Sequence, residues 1–256
     1  RAINADRTRV KDWQAIYSGA ATEKKWDGPI LRSKAKVGKL VGIEVLQLTK
    51  GCQRALTTVE RVENGVLPNE NRIEACYGGT CWVNYTIPVK FKTLENMEVR
   101  DLSFADMDVV ESRLKKPAWV ARLNKSPFIR EGYAGDSSHL FANGQAVQWL
   151  KMAKKYKVKP KTIFISAGYA PVTDANYEAL IPYKDQFELH FSLSGWFDKN
   201  ELMLRLGEFQ KARELGLPAF GRIITNADKV SGIEMVNEKF LDAQLKKMGI
   251  KQKEIL

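Results

Sequence analysis

Phe187-Glu188-Leu189-His190-Phe191-Ser192-Leu193-Ser194-Gly195 alternates apolar and polar residues with a period of two, the pattern of a strand. Asp198 and Glu201 then stand as caps for a helix that turns Leu202, Leu206 and Phe209 inward. Gly216 stops that helix at the position after its C-cap. Ala219-Phe220-Gly221-Arg222-Ile223-Ile224-Thr225-Asn226 reads as the next strand. A strand–helix–strand unit with short connections implies parallel strands joined by a right-handed crossover.

The unit repeats upstream. Thr162-Ile163-Phe164-Ile165-Ser166 is a strand, followed by a short helix near residues 174–180. Before it, Asn143 caps a helix with Ala146, Val147, Leu150 and Ala153 on one face. Pro127-Phe128-Ile129-Arg130-Glu131-Gly132-Tyr133 is a strand running into the turn Ala134-Gly135-Asp136. Ser103 with Asp106 resembles a capping box for a helix bearing Met107, Val110 and Leu114, with Pro117 marking its end. Residues 40–48 form an apolar, β-branched strand candidate that carries Glu44, whose buried carboxylate needs a partner or a polar barrel interior. Downstream, a last helix covers about residues 236–248, and Ile255-Leu256 opens a sixth strand.

Five to six parallel strands are fewer than the eight of a closed barrel. The expected fold is therefore α/β: a partial or open (β/α) barrel over residues 39–256, with residues 1–38 as an N-terminal extension packed on it. Apolar residues make up 44% of the chain, enough for a packed core, and no apolar run is long enough to cross a membrane. The N-terminal stretch is basic and polar, without the apolar segment of a signal peptide, so a cytoplasmic location is expected.

The net charge is +11. That excess fits an anionic substrate or partner: nucleic acid, a phosphorylated small molecule or an acidic protein surface. Clusters such as Lys154-Lys155-Tyr156-Lys157 and Lys246-Lys247 also lie near helix ends, where lysine complements the helix dipole.

The cysteines are Cys52, Cys76 and Cys81, all in the first third of the chain. Cys52 follows the first strong strand, and in parallel α/β architectures chemistry sits at the carboxyl ends of the strands. Three thiolates would leave one iron of a [4Fe–4S] cluster open to a substrate or cofactor. The same residues are compatible with a zinc site completed by His139 or His190, with a Cys76–Cys81 disulfide and a spare Cys52, or with three buried thiols.

Taken with the later strand ends, the chain resembles the radical S-adenosylmethionine superfamily over residues 39–256. The resemblance rests on the three cysteines, on Gly132-Tyr133-Ala134-Gly135-Asp136, on His190-Phe191-Ser192-Leu193-Ser194-Gly195 and on Arg222-Ile223-Ile224-Thr225-Asn226. The spacing Cys52-x23-Cys76-x4-Cys81 is wider than the compact Cys-x3-Cys-x2-Cys of that family. Gly135-Asp136 stands where members commonly carry Gly-Gly-Glu.

The resemblance implies a [4Fe–4S] cluster held by Cys52, Cys76 and Cys81, with S-adenosyl-L-methionine on the open iron. It implies a cofactor cradle from Gly132, Gly135, Asp136, Ser192, Ser194 and Asn226. One electron, delivered by a donor protein, would cleave the sulfonium. The resulting 5′-deoxyadenosyl radical would take a hydrogen atom from the substrate. Tyr133, Tyr169, Trp196 and Arg222 would stand at strand ends near the pocket. Two further functions fit the residues without the resemblance: a (β/α)-barrel enzyme on an anionic or phosphorylated substrate with structural or zinc-bound cysteines, and a basic nucleic-acid-binding module.

Overall fold

Alternation and β-branching produce the strands where the sequence shows them. The computed structural model describes residues 25–26, 31–32, 42–50, 103–132, 135–168, 170, 172–193, 199–223 and 238–256. Its elements in chain order are β1 (Lys25–Trp26), β2 (Leu31–Arg32), β3 (Glu44–Leu46), β4 (Thr49–Lys50), β5 (Ser103–Ala105), α1 (Met107–Leu114), α2 (Pro117–Asn124), β6 (Ile129–Glu131), α3 (Ser138–Ala142), α4 (Gln145–Lys155), β7 (Thr162–Ser166), α5 (Asp174–Glu178), β8 (Phe187–Ser192), α6 (Lys199–Glu214), β9 (Ala219–Arg222) and α7 (Glu238–Lys247).

The main sheet has the order β2-β3-β6-β7-β8-β9, and β3 through β9 within it are all parallel. Spatial order thus equals chain order. Helices alternate with these strands and flank the five-stranded parallel sheet, an α/β arrangement compatible with a partial β/α fold. At one edge β2 pairs antiparallel with β3, so Leu31 and Arg32 of the expected extension belong to this sheet. At the other, Ile255 makes a parallel bridge to Gly221, and the Leu256 N–H donates to the Gly221 carbonyl at 2.8 Å. A β-carbon on Gly221 would lie 2.6 Å from Leu193 Cδ1 and 2.8 Å from Ile255 Cδ1, so this edge packs closely only around glycine.

Of the strand expected over residues 40–48, Glu44–Leu46 is a strand and joins the main sheet; just beyond it, Thr49–Lys50 pairs antiparallel with β5 in a second, three-stranded sheet of order β1-β5-β4. Ser103 is not a cap but a strand residue of β5. Asp106 caps α1, its Oδ1 accepting the Asp108 N–H at 2.9 Å. Pro117 does not simply end a helix; it occupies the first turn of α2, where its missing N–H costs nothing.

The core lies between the sheet and its helices. Thr162, Phe164 and Ser166 alternate with the less buried Ile163 and Ile165 along β7. Phe164 meets Phe141 of α3 edge-on at 5.3 Å, and Phe191 of β8 meets Phe209 of α6 at 5.6 Å. Trp149 of α4 is buried, and its indole N–H donates to Thr162 Oγ1 at 2.9 Å. Glu44 faces the same helical layer. Arg122 of α2 binds its carboxylate through two nitrogens, at 2.7 and 3.0 Å. No described helix is long and apolar enough to cross a membrane.

Candidate functional site

Parallel sheets offer ligand sites at the carboxyl ends of their strands, and polar residues gather there. β6 ends in Glu131 and Gly132. The Gly132 φ is +89°, and a β-carbon would stand 2.8 Å from the Ile165 carbonyl oxygen of β7. Only glycine allows this turn to pass so close to the neighbouring strand.

Beyond the turn, Gly135 is partly buried and Asp136 is buried. Asp136 Oδ1 accepts the N–H groups of Ser138 at 3.1 Å and Ala167 at 3.0 Å. Its Oδ2 accepts the Ser138 hydroxyl at 2.8 Å. Ser138 Oγ in turn accepts the Ala170 N–H at 2.9 Å. Asp136 therefore joins the loop after β6, the first turn of α3 and the loop after β7 into one unit.

Glu131 was not singled out by the sequence, although its position two residues after Ile129 places it on the helical face of β6. It is fully buried, and the Ser137 hydroxyl donates to Oε2. Burial pushes its carboxyl up to about 7, against the opposing pull of Ser137 and of the Gly132 and Leu48 backbone. Oε1 has no hydrogen-bond partner of normal geometry among the described residues. Nearby in register, Leu46 of β3 lies one step beyond the Val45–Arg130 pair. Gln47 and Thr49 follow, both buried, and the Gln47 amide and Thr49 Oγ1 also lack partners among the described residues. Orphaned buried polar atoms are rare in native proteins and mark places where a ligand or water belongs. The Gln47, Thr49 and Glu131 atoms stand at the carboxyl ends of the first two parallel strands, whereas Gln186 Oε1, also without a partner among the described residues, precedes β8 at the opposite end. In the sequence Cys52 follows two positions after Lys50.

Ser192 ends β8 and is buried. Its carbonyl accepts from Nη1 of Arg205 at 3.1 Å, a fully buried guanidinium on α6. Arg205 was legible in principle: it falls on the inward face set by Leu202, Leu206 and Phe209.

The two histidines are separated. His139 lies in α3, where burial drives its pKa down to about 4 against the pull of Asp136. His190 lies on the sheet face opposite the helices. Its Nε2 is 3.1 Å from Glu188 Oε2, and its ring packs edge-on to Phe220 at 5.6 Å. Burial first, and then the Arg222 guanidinium, hold its pKa below the ordinary value despite the Glu188 hydrogen bond. Arg222 ends β9 directly opposite Ser192 in register.

Gly132, Gly135 and Asp136 thus all lie just after β6, and Ser192 stands two strands away at the same end of the sheet. Cys52, Cys76, Cys81, Ser194, Asn226, Tyr133, Tyr169 and Trp196 lie outside the described residues. Among the described residues, no group of three or more His, Cys, Asp or Glu side chains is placed to hold a metal ion. No protein-family model, curated protein or solved structure matches the chain.

Proposed function

We propose that this protein is an iron–sulfur enzyme of the radical S-adenosylmethionine type, in which Cys52, Cys76 and Cys81 hold a [4Fe–4S] cluster. The observation that carries the reading is the set of unpartnered buried polar atoms on Gln47, Thr49 and Glu131, beside the Gly132–Asp136 turn. Amide, hydroxyl and carboxyl atoms of this kind are the donors and acceptors that a ligand's ammonium, carboxylate and hydroxyl groups would take. Three thiols are the donor type that an iron–sulfur cluster takes. When bound, the reduced cluster would supply one electron to S-adenosylmethionine and release a 5′-deoxyadenosyl radical for substrate modification.

The chain's own residues do the positioning. Gly132 lets the turn after β6 lie against β7. Asp136 spends its carboxylate on the Ser138 and Ala167 N–H groups, so it holds the shape of the turn. Arg205 fixes the carbonyl of Ser192 and with it the end of β8. The Phe141–Phe164 and Phe191–Phe209 pairs pack the helices against the sheet beneath these strand ends.

Anaerobic reconstitution with ferrous iron and sulfide tests the proposal. The expected result is the broad visible absorption and electron-spin signal of a cluster, altered by adding S-adenosylmethionine and abolished by Cys52→Ala, Cys76→Ala or Cys81→Ala. A protein that assembles no cluster, or one whose cluster ignores S-adenosylmethionine, overturns it.

A further inference from the structure

Three helices end in the same hydrogen-bonded turn. After α4, the Val158 N–H donates to Ala153 O at 2.9 Å and the Lys157 N–H to Lys154 O at 3.2 Å. After α6, Leu217 donates to Ala212 at 3.1 Å and Gly216 to Arg213 at 2.9 Å. After α7, Ile250 donates to Leu245 and Gly249 to Lys246, both at 3.0 Å. This is the Schellman arrangement, whose pivot residue takes a left-handed conformation. The pivot φ values are +58° for Lys157, +70° for Gly216 and +63° for Gly249. Glycine adopts that conformation freely, whereas a β-carbon resists it. Among the described residues, Lys157 is the sole non-glycine with positive φ. Asn124 of α2 clamps the strained turn, donating from Nδ2 to Lys157 O at 3.2 Å and accepting the Lys159 N–H on Oδ1 at 2.8 Å. A lysine therefore stands where glycine fits better, with a neighbouring side chain holding it there.

The surroundings give that charge a use. Lys157 and Lys159 are exposed, as are Lys125 next to Asn124 and Lys115-Lys116 between α1 and α2. Among the described residues, none of these five has a salt-bridge partner. Glu111, whose carboxylate also feels the charge of Lys115, is bonded to Lys155 and Tyr156. Lys125 and Lys159 precede β6 and β7, so this rim lies at the amino ends of the strands, away from the candidate site.

We propose that this lysine rim binds the phosphate backbone of nucleic acid. Lysines are point charges on long stems, suited to phosphates rather than to planar bidentate readout. The large exposed apolar residues, Ile181, Met203, Leu204 and Leu256, belong to other elements. The rim therefore lacks the apolar anchor of a typical protein interface or of membrane insertion. The inference does not rest on the cofactor reading.

The test is fluorescence anisotropy of the full chain with a 20-base-pair DNA duplex. If about four phosphates are contacted, affinity should fall on the order of 100-fold between 50 and 200 mM salt. Lys157→Gly, which also relieves the strained turn, should weaken binding about tenfold at low salt and reduce the salt slope by about one. Lys159→Gln should do the same, and serves if the first variant folds poorly. Lys246→Gln with Lys247→Gln, on α7, should leave binding unchanged. The proposal is overturned by no binding at 50 mM salt, by unchanged binding in both rim variants, or by an equal loss in the α7 variant. It is also overturned if polyglutamate or phosphatidylserine vesicles bind as tightly and with the same dependence on Lys157.

Discussion

The Asp136 carboxylate accepts the Ala167 N–H at 3.0 Å, bonding the loop after β6 to the loop after β7. Because Asp136 is buried and serves three donors, its truncation strands all of them. Asp136→Ala should destabilise the protein by about 3 kcal/mol. Asp136→Asn keeps the acceptor oxygen that serves the Ser138 and Ala167 N–H groups and loses the carboxylate oxygen that accepts the Ser138 hydroxyl. It should cost about 1 kcal/mol. Urea unfolding of the three proteins checks the order.

Gly132 is the second constraint on the same turn. Gly132→Ala adds a β-carbon 2.8 Å from the Ile165 carbonyl oxygen at a φ of +89°. The expected loss is about 2 to 3 kcal/mol, larger than strain alone because a fixed backbone atom must move. Gly144→Ala, also at positive φ but with open space around the new carbon, should cost about 1 kcal/mol. Equal losses would show that contact with β7 contributes nothing.

Glu131 and His139 make opposed contributions to pH dependence. The folded-state pKa of Glu131 is raised from an ordinary 4.5 to about 7, so its stabilising contribution is present below pH 4.5 and lost as pH rises towards 7. The pKa of His139 is lowered from 6.5 to about 4, so its contribution is present above pH 6.5 and lost as pH falls towards 4. Between pH 4.5 and 6.5 the two nearly cancel, and a shallow profile is expected from this pair. In Glu131→Gln, stability should climb from pH 4 to 6.5. In His139→Gln, it should fall from pH 4.5 to 7, each change being on the order of 3 kcal/mol. Thermal unfolding across that range checks both slopes, and parallel profiles in the two variants would refute the opposition.

Arg122 neutralises Glu44, whose side chain is fully buried. Arg122→Ala should cost about 2 to 3 kcal/mol, the lower part of the range for a broken buried pair because the Arg122 side chain is 40% exposed. Adding Glu44→Leu should recover part of that loss, since the buried Glu44 carboxylate is then no longer left without Arg122. A double variant less stable than the single one would contradict this account.

The parallel sheet was legible because its strands carry periodic signals. β7 was expected over its observed bounds, and β8 matched except at its carboxyl end. Glu44 announced a partner, and Arg122 is that partner. Short elements were not legible: Ser103 lies in a three-residue strand, too brief for a period to appear. Pro117 was ambiguous in principle, because proline both stops one helix and suits the first turn of the next. At the candidate site, Gly132, Gly135 and Asp136 stand out in the sequence, but the use of Asp136 does not. Its partner Ala167 lies 31 positions away and contributes only a backbone N–H.

The sequential order of the sheet has a consequence for how the protein is made. β6, β7, β8 and β9 each pair with the parallel strand before them in the chain. As the polypeptide leaves the ribosome, each of these strands finds the edge it needs already exposed and waiting. Within the main sheet no strand must be inserted between two earlier ones, and from β6 to β9 loop closure stays within one strand–helix unit at a time, whereas the β3–β6 pairing closes a loop of about 80 residues. Assembly of this sheet can therefore follow the direction of synthesis, with β9 the last edge to be covered.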